Sequence, residues 1–160
     1  MGTLNLQIDL GQINRSKFFK ELEHMTGITA LIIQKEFDDE HKRRTPDYAL
    51  IELIKLLRAN YKTALLTNTG EEEIDIIYRD NISDLFDVKT LSYRLKLVKP
   101  SEKIYLKCLE ELGTTPSETI LVDDSKTNLE GARKVVIKTI LYKDFGVIPR
   151  TLNILASAKR

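Results

Sequence analysis

Two periods of apolar and polar residues run through this chain. Residues 3–9, Thr-Leu-Asn-Leu-Gln-Ile-Asp, alternate strictly. That period of two predicts a strand with one covered face. The period then lengthens. From Asn14 or Ser16 to about residue 26, Phe18, Phe19, Leu22 and Met25 recur at helical spacing, with Gly27 as a stop. Residues 28–37 are apolar and read as helix. Thr45-Pro46-Asp47 is a helix start, and Ala49 to Arg58 is amphipathic at a helical period. Tyr61 to Asn68 predicts a buried strand ending in small polar residues, and Thr69-Gly70-Glu71-Glu72-Glu73 opens a helix with acids in its first turn. A strand over 87–93 follows, then a helix over 101–112 that Gly113 ends. The run 119–123 predicts a strand, 126–133 a helix, 135–142 another strand, and 151–158 a short helix.

Strands alternating with helices predict an α/β fold, a doubly wound parallel sheet in a three-layer α/β/α arrangement. At 160 residues the chain is read as one domain, 1–160. Charge changes the picture by exclusion. Lys plus Arg is 25 and Asp plus Glu is 24, a net charge of +1. This balance gives no electrostatic reason to expect a nucleic-acid or membrane partner. No apolar run is long enough to span a bilayer. The first residues do not read as a signal peptide, and Leu6 stands where a myristoylation signal has Ser or Thr, so a cytoplasmic location is expected. Cys108 is expected as a buried thiol in a helix. The run 38–44 mixes both signs and reads as solvated. His24 and His41 have no partners at ligand spacing.

The chemistry gathers where strands end. The C-terminal ends of strands in open α/β sheets are where ligands bind. There the chain offers Thr67 and Asn68, then Lys99, then the adjacent pair Asp123 and Asp124. A hydroxyl and an ammonium suit a phosphate, and two neighbouring carboxylates suit Mg²⁺. The alternative for the pair is that one Asp caps the following helix and the other is solvated. Asp9, at the end of the 3–9 alternation, is placed to serve as a nucleophile. No Gly-rich phosphate loop is present.

Taken together, these segments resemble the haloacid dehalogenase superfamily of hydrolases. Residues 65–69, Leu-Leu-Thr-Asn-Thr, resemble its second motif, with Thr67 as the phosphate-contacting hydroxyl. Lys99-Pro100 resembles the third. Residues 120–133 resemble the fourth motif and its helix, with Asp123 and Asp124 as the magnesium acids. Residues 83–88 and 100–113 resemble connecting segments of the same family. The first motif admits two registers. In one, residues 6–13 are that motif and Asp9 is the nucleophile, with Gly11 in the place of the acid/base residue. In the other, residues 8–27 are the segment downstream of it, and the first strand is absent. The resemblance also implies a helical cap, here reduced to residues 15–45.

In the first register the resemblance implies a Mg²⁺-dependent phosphatase acting on a small phosphorylated metabolite. Asp9 would form an aspartyl intermediate, with Asp9, Asp123 and Asp124 at the metal and Thr67, Asn68 and Lys99 at the phosphate. General acid catalysis, worth about 10²–10⁴-fold, would be missing at Gly11. The competing reading is an impaired or truncated relative that binds Mg²⁺ or phosphate. A receiver domain fits poorly, because its acid pair comes first in the chain. Oligomeric state is left open.

Overall fold

A computed structural model describes residues 2–73 and 79–143. The first departure from expectation is at the start. Residues Gly2–Asp9 form a helix, α1, and pair with no strand. The cause is that Leu4 and Ile8, two steps apart in an alternating pattern, are also four residues apart on one helix face. With no neighbouring strand to satisfy an extended backbone, the helical option satisfies it internally. Leu4 is buried, and Ile8 packs against Phe18, Phe19 and Leu22. Leu6, the third apolar residue of the alternation, is left 43% exposed.

The next helices follow the sequence closely. Helix α2 spans Arg15–Thr26; the Asn14 side chain caps it by accepting from the Lys17 N–H, and Gly27 ends it at φ 73°. Helix α3 spans Ala30–Arg43, so the charged run from Asp38, expected as a solvated link after a helix over 28–37, continues that helix as far as Arg43. Phe19 makes edge-on ring contacts with Phe18 and Phe37, joining α2 to α3. Helix α4 spans Tyr48–Arg58, and the Asp47 carboxylate accepts from the Ala49 and Leu50 N–H groups at its start.

From here strand and helix alternate. Strand β1 is Ala64–Thr67, β2 is Val88–Leu91, and the short helix α5 is Ser92–Leu95. Helix α6 is Glu102–Leu112 and ends at Gly113 in the left-handed region. Strand β3 is Ile120–Asp123, helix α7 is Lys126–Lys134, and strand β4 is Lys138–Leu141. The expected strand over 135–142 starts late: Val135 closes α7 and Val136 takes φ 65°. The helix expected to open at Thr69 is a single 3₁₀ turn over Glu71–Glu73, and its continuation through 74–78 lies outside the described residues, as does the helix expected over 151–158.

The α/β class with parallel pairing is as expected, but the sheet is in two parts. β1 pairs β2, β3 pairs β4, both parallel, and nothing among the described residues pairs β1 with β3. The residues expected to supply another strand are those in α1. Both halves rest on one floor: Leu66 of β1 and Leu121 of β3 pack against Ile104, Tyr105, Leu109, Ala132 and Ile137, most of them on α6 and α7. Cys108 is buried on α6, as expected, and burial pushes its thiol pKa up. Among the described residues no helix is long and apolar enough to cross a membrane.

Candidate functional site at the strand ends

Lys99 ties the two half-sheets together at their C-terminal ends. Just beyond β1, the Asn68 side chain accepts from the Lys99 N–H (2.8 Å) and donates to the Lys99 carbonyl (3.0 Å). The Lys99 Nζ then donates to Asp123 Oδ2 at the end of β3 (2.7 Å). Both side chains of this ion pair are largely buried, 11% and 5% exposed. Thr67 ends β1 beside them, half-buried. Four of the residues singled out in the sequence therefore share one sheet end: Thr67, Asn68, Lys99 and Asp123.

Asp123 is held from below by the start of α7. Its Oδ1 accepts from the Ser125 N–H (2.8 Å), and both carboxylate oxygens accept from Asn128 Nδ2 (3.0 and 3.2 Å). Burial works to raise the Asp123 pKa, but the bonds from Lys99, Ser125 and Asn128 outweigh it and hold the carboxyl below its ordinary value. Asp123 is thus ionised and orientated. Asp124 beside it is exposed. Neither Asp caps α7; Ser125 does, accepting from the Asn128 N–H. This removes the capping alternative for the pair.

Sequence reasoning did not single out Asn128, Tyr105 or Gly131, which position this end of the sheet. Tyr105 donates to the Asn128 carbonyl (2.7 Å), and burial together with the Asp123 charge pushes the phenol up to about 12. Gly131 lets α7 pass against Pro100: a Cβ there would come within 2.4 Å of the Pro100 carbonyl oxygen. The signal available was the helical spacing of Asn128 and Gly131, three residues apart behind the acid pair.

Asp9 is placed differently from the expectation. It ends a helix rather than a strand, and Asp9, Asp123 and Asp124 do not gather: among the described residues no group of three Asp, Glu, His or Cys side chains could hold a metal ion. The Asp9 carbonyl accepts from Ser92 Oγ (2.7 Å), which itself accepts from the Thr69 N–H (2.9 Å). Its carboxyl lines a small cavity of about 190 Å³ with Arg15, Phe19 and Glu73. Burial, and then the nearby Glu73 charge, raise its pKa to about 6. Gly11, at φ 58°, sits against Tyr93, and its carbonyl accepts from Lys96 Nζ (3.0 Å).

The sequence profile of the haloacid dehalogenase-like hydrolases matches residues 8–142. The chain belongs to that family. Relatives of this haloacid dehalogenase-like hydrolase include a phosphorylated carbohydrates phosphatase of Thermotoga maritima, 32% identical over 99 residues that make up 61% of this chain and 43% of the relative. A D-ribitol-5-phosphate phosphatase of Bacteroides thetaiotaomicron is 26% identical over 83% of this chain and 68% of its own. Among solved structures, a family enzyme of Bacteroides thetaiotaomicron in complex with magnesium and inorganic phosphate superposes with a TM-score of 0.74 at 28% identity. That match covers 89% of this chain and 77% of the other. The chain spans less than half the length of the first curated relatives it matches.

Proposed function

We propose that this hydrolase-family chain carries the phosphate- and Mg²⁺-binding part of a phosphatase for small phosphorylated metabolites of the carbohydrate type. The observation that carries the reading is the Asn68–Lys99–Asp123 chain of contacts across the ends of β1 and β3. With Thr67 at the end of β1, an ammonium, a hydroxyl and an ionised carboxylate lie at one edge. The relatives named as phosphatases support the substrate class.

The donor set fits Mg²⁺ in one manner. Mg²⁺ is commonly held by one or two carboxylates, with water and phosphate completing its shell, rather than by an all-protein cage. Asp123 and Asp124 would hold it; bound there, it offsets negative charge on phosphoryl oxygens. The rest falls to the chain's own residues. Lys99 carries its charge on a flexible stem that reaches Asp123 Oδ2 and can serve a phosphoryl oxygen from the same position. The Thr67 hydroxyl donates to a second oxygen. Asn68 does not need to touch the ligand, because its two bonds to the Lys99 backbone fix where that lysine starts.

On this reading Asp9 takes no part in phosphoryl transfer. Its raised pKa follows from its cavity, and that cavity contains Glu73 rather than Lys99. Helices α2 and α3 form the reduced cap, packed on α1. The same geometry favours a second reading. With no third carboxylate beside Asp123 and Asp124 among the described residues, the chain by itself binds phosphate and does not form an aspartyl intermediate.

Thermal unfolding with inorganic phosphate tests the proposal. In the presence of Mg²⁺, phosphate at about 100 times its Kd should stabilise the protein by about 2.7 kcal/mol. Lys99→Ala should abolish this stabilisation. A phosphate-induced shift of full size in Lys99→Ala would overturn it.

A further inference from the structure

The cavity beside Asp9 lies between α1, α2, α3 and the 3₁₀ turn at Glu71–Glu73, and its lining includes none of Thr67, Asn68, Lys99 or Asp123. Most of its wall is apolar, formed by Ile8 on α1, Phe18 and Phe19 on α2 and Phe37 on α3. Edge-on contacts of Phe19 with the other two rings fix that wall. The volume is about 190 Å³. An apolar cavity of about 150 Å³ holds benzene, so there is room here for one aromatic ring or a compact alkyl group.

The charges around this wall do not balance. Asp9 and Glu73 both line the cavity, and Asp9, raised to about 6, is ionised at pH 7.5 beside the Glu73 charge. Among the described residues nothing donates a hydrogen bond to the Asp9 carboxylate. Glu73 accepts at one oxygen from Thr69 Oγ1 (3.2 Å). Arg15, a cation on the same wall, is engaged elsewhere: it pairs with Asp38 and lies over the Phe19 ring, 5.2 Å from its centre. A carboxylate half-buried without a donor is unfavourable, and a like charge beside it adds to the cost.

The chemistry of the lining selects what would relieve it. An anion is repelled by the two acids. A metal ion would find too few ligands, because no group of three Asp, Glu, His or Cys side chains gathers among the described residues. A neutral apolar molecule fills the space but leaves Asp9 without a partner. An ammonium has three N–H donors, and three acceptors line this cavity: the carboxylates of Asp9 and Glu73 and the side-chain oxygen of Asn5.

We propose that this cavity is a binding site for a small protonated primary amine with an aromatic or compact alkyl body. The ammonium donates to Asp9, Glu73 and Asn5, and the body lies against Phe18, Phe19 and Phe37. An apolar pocket with a few convergent polar groups is the usual form of a small-molecule site. The proposal rests on the lining of this cavity and does not depend on the phosphatase reading.

Isothermal titration of benzylamine into the whole chain at pH 7.5 and fixed ionic strength tests it. Two further probes separate the parts of the ligand: benzyl alcohol has the same body without the charge, and ammonium chloride has the charge without the body. Benzylamine should bind saturably at one site per chain, with each of the other two weaker by about tenfold or more. Asp9→Asn and Glu73→Gln should each weaken benzylamine by about tenfold, the loss of one charged hydrogen bond. Thermal unfolding of each variant in buffer alone reports whether it is folded. No saturable binding to the parent, equal binding of benzyl alcohol or of ammonium chloride, or unchanged benzylamine affinity in a folded Asp9→Asn variant would overturn the proposal.

Discussion

At the scale of single residues, the two aspartates that looked alike in sequence have opposite environments. Asp123 is surrounded by donors, and its pKa is held down. It therefore stabilises the fold above the ordinary carboxylate pKa, and that contribution is lost as pH falls through its depressed value. Asp9 is raised from 3.8 to about 6, first by burial and then by Glu73. Its charged form is disfavoured in the folded state, so stability is lost as pH rises from about 4 to about 6. Asp9→Asn should remove this penalty. The variant is expected to be about 1 kcal/mol more stable than the parent at pH 7, after allowance for screening of a half-buried group, and equal to it near pH 3. Urea unfolding at both pH values measures the difference. A destabilised variant at pH 7 would mean that the Asp9 carboxylate has a favourable partner.

At the scale of elements, legibility depended on how local the signal was. Asn14, Asp47 and Gly27 were readable as helix ends because capping needs only a few neighbouring residues. Thr67 and Asp123 were readable because each ends a strand; Lys99, which lies beyond α5, was readable from the resemblance of Lys99-Pro100 to the third motif. Helix α1 was not, because the alternation Leu-x-Leu-x-Ile from Leu4 to Ile8 serves a strand face and a helix stripe equally until a neighbouring strand decides between them. Asn128 and Ser92 were missed for another reason: their partners, Asp123 on one side and Asp9 and Thr69 on the other, are set by tertiary packing. The close passage of α7 over Pro100 makes an element-scale prediction. Gly131→Ala places a methyl 2.4 Å from the Pro100 carbonyl oxygen and 2.8 Å from its Cβ. The backbone must shift, and the variant should lose about 1–3 kcal/mol of stability in urea unfolding. Phosphate affinity should fall with it, since Pro100 follows Lys99. Unchanged stability would show that α7 can slide without cost.

At the scale of the whole molecule, two half-sheets share a helical floor and meet through one buried ion pair. The family match over residues 8–142 places this arrangement among haloacid dehalogenase-like hydrolases. Expecting a doubly wound parallel sheet was correct in class and strand direction. The residues expected to supply a further strand, 3–9, lie in helix α1 instead, and β1 and β3 are not paired among the described residues. The central claim is that ligand binding lies at the ends of β1 and β3, with Asp123 in it and Asp9 outside it. Isothermal titration of inorganic phosphate in Mg²⁺, run on the parent, Asp123→Asn and Asp9→Asn, tests this most directly. Asp123→Asn should weaken binding by about tenfold or more, the loss of one charged interaction of about 1.4 kcal/mol or greater. Asp9→Asn should match the parent within about twofold, less than 0.5 kcal/mol. Equal losses in the two variants would place the Asp9 carboxylate in the metal site and contradict the account.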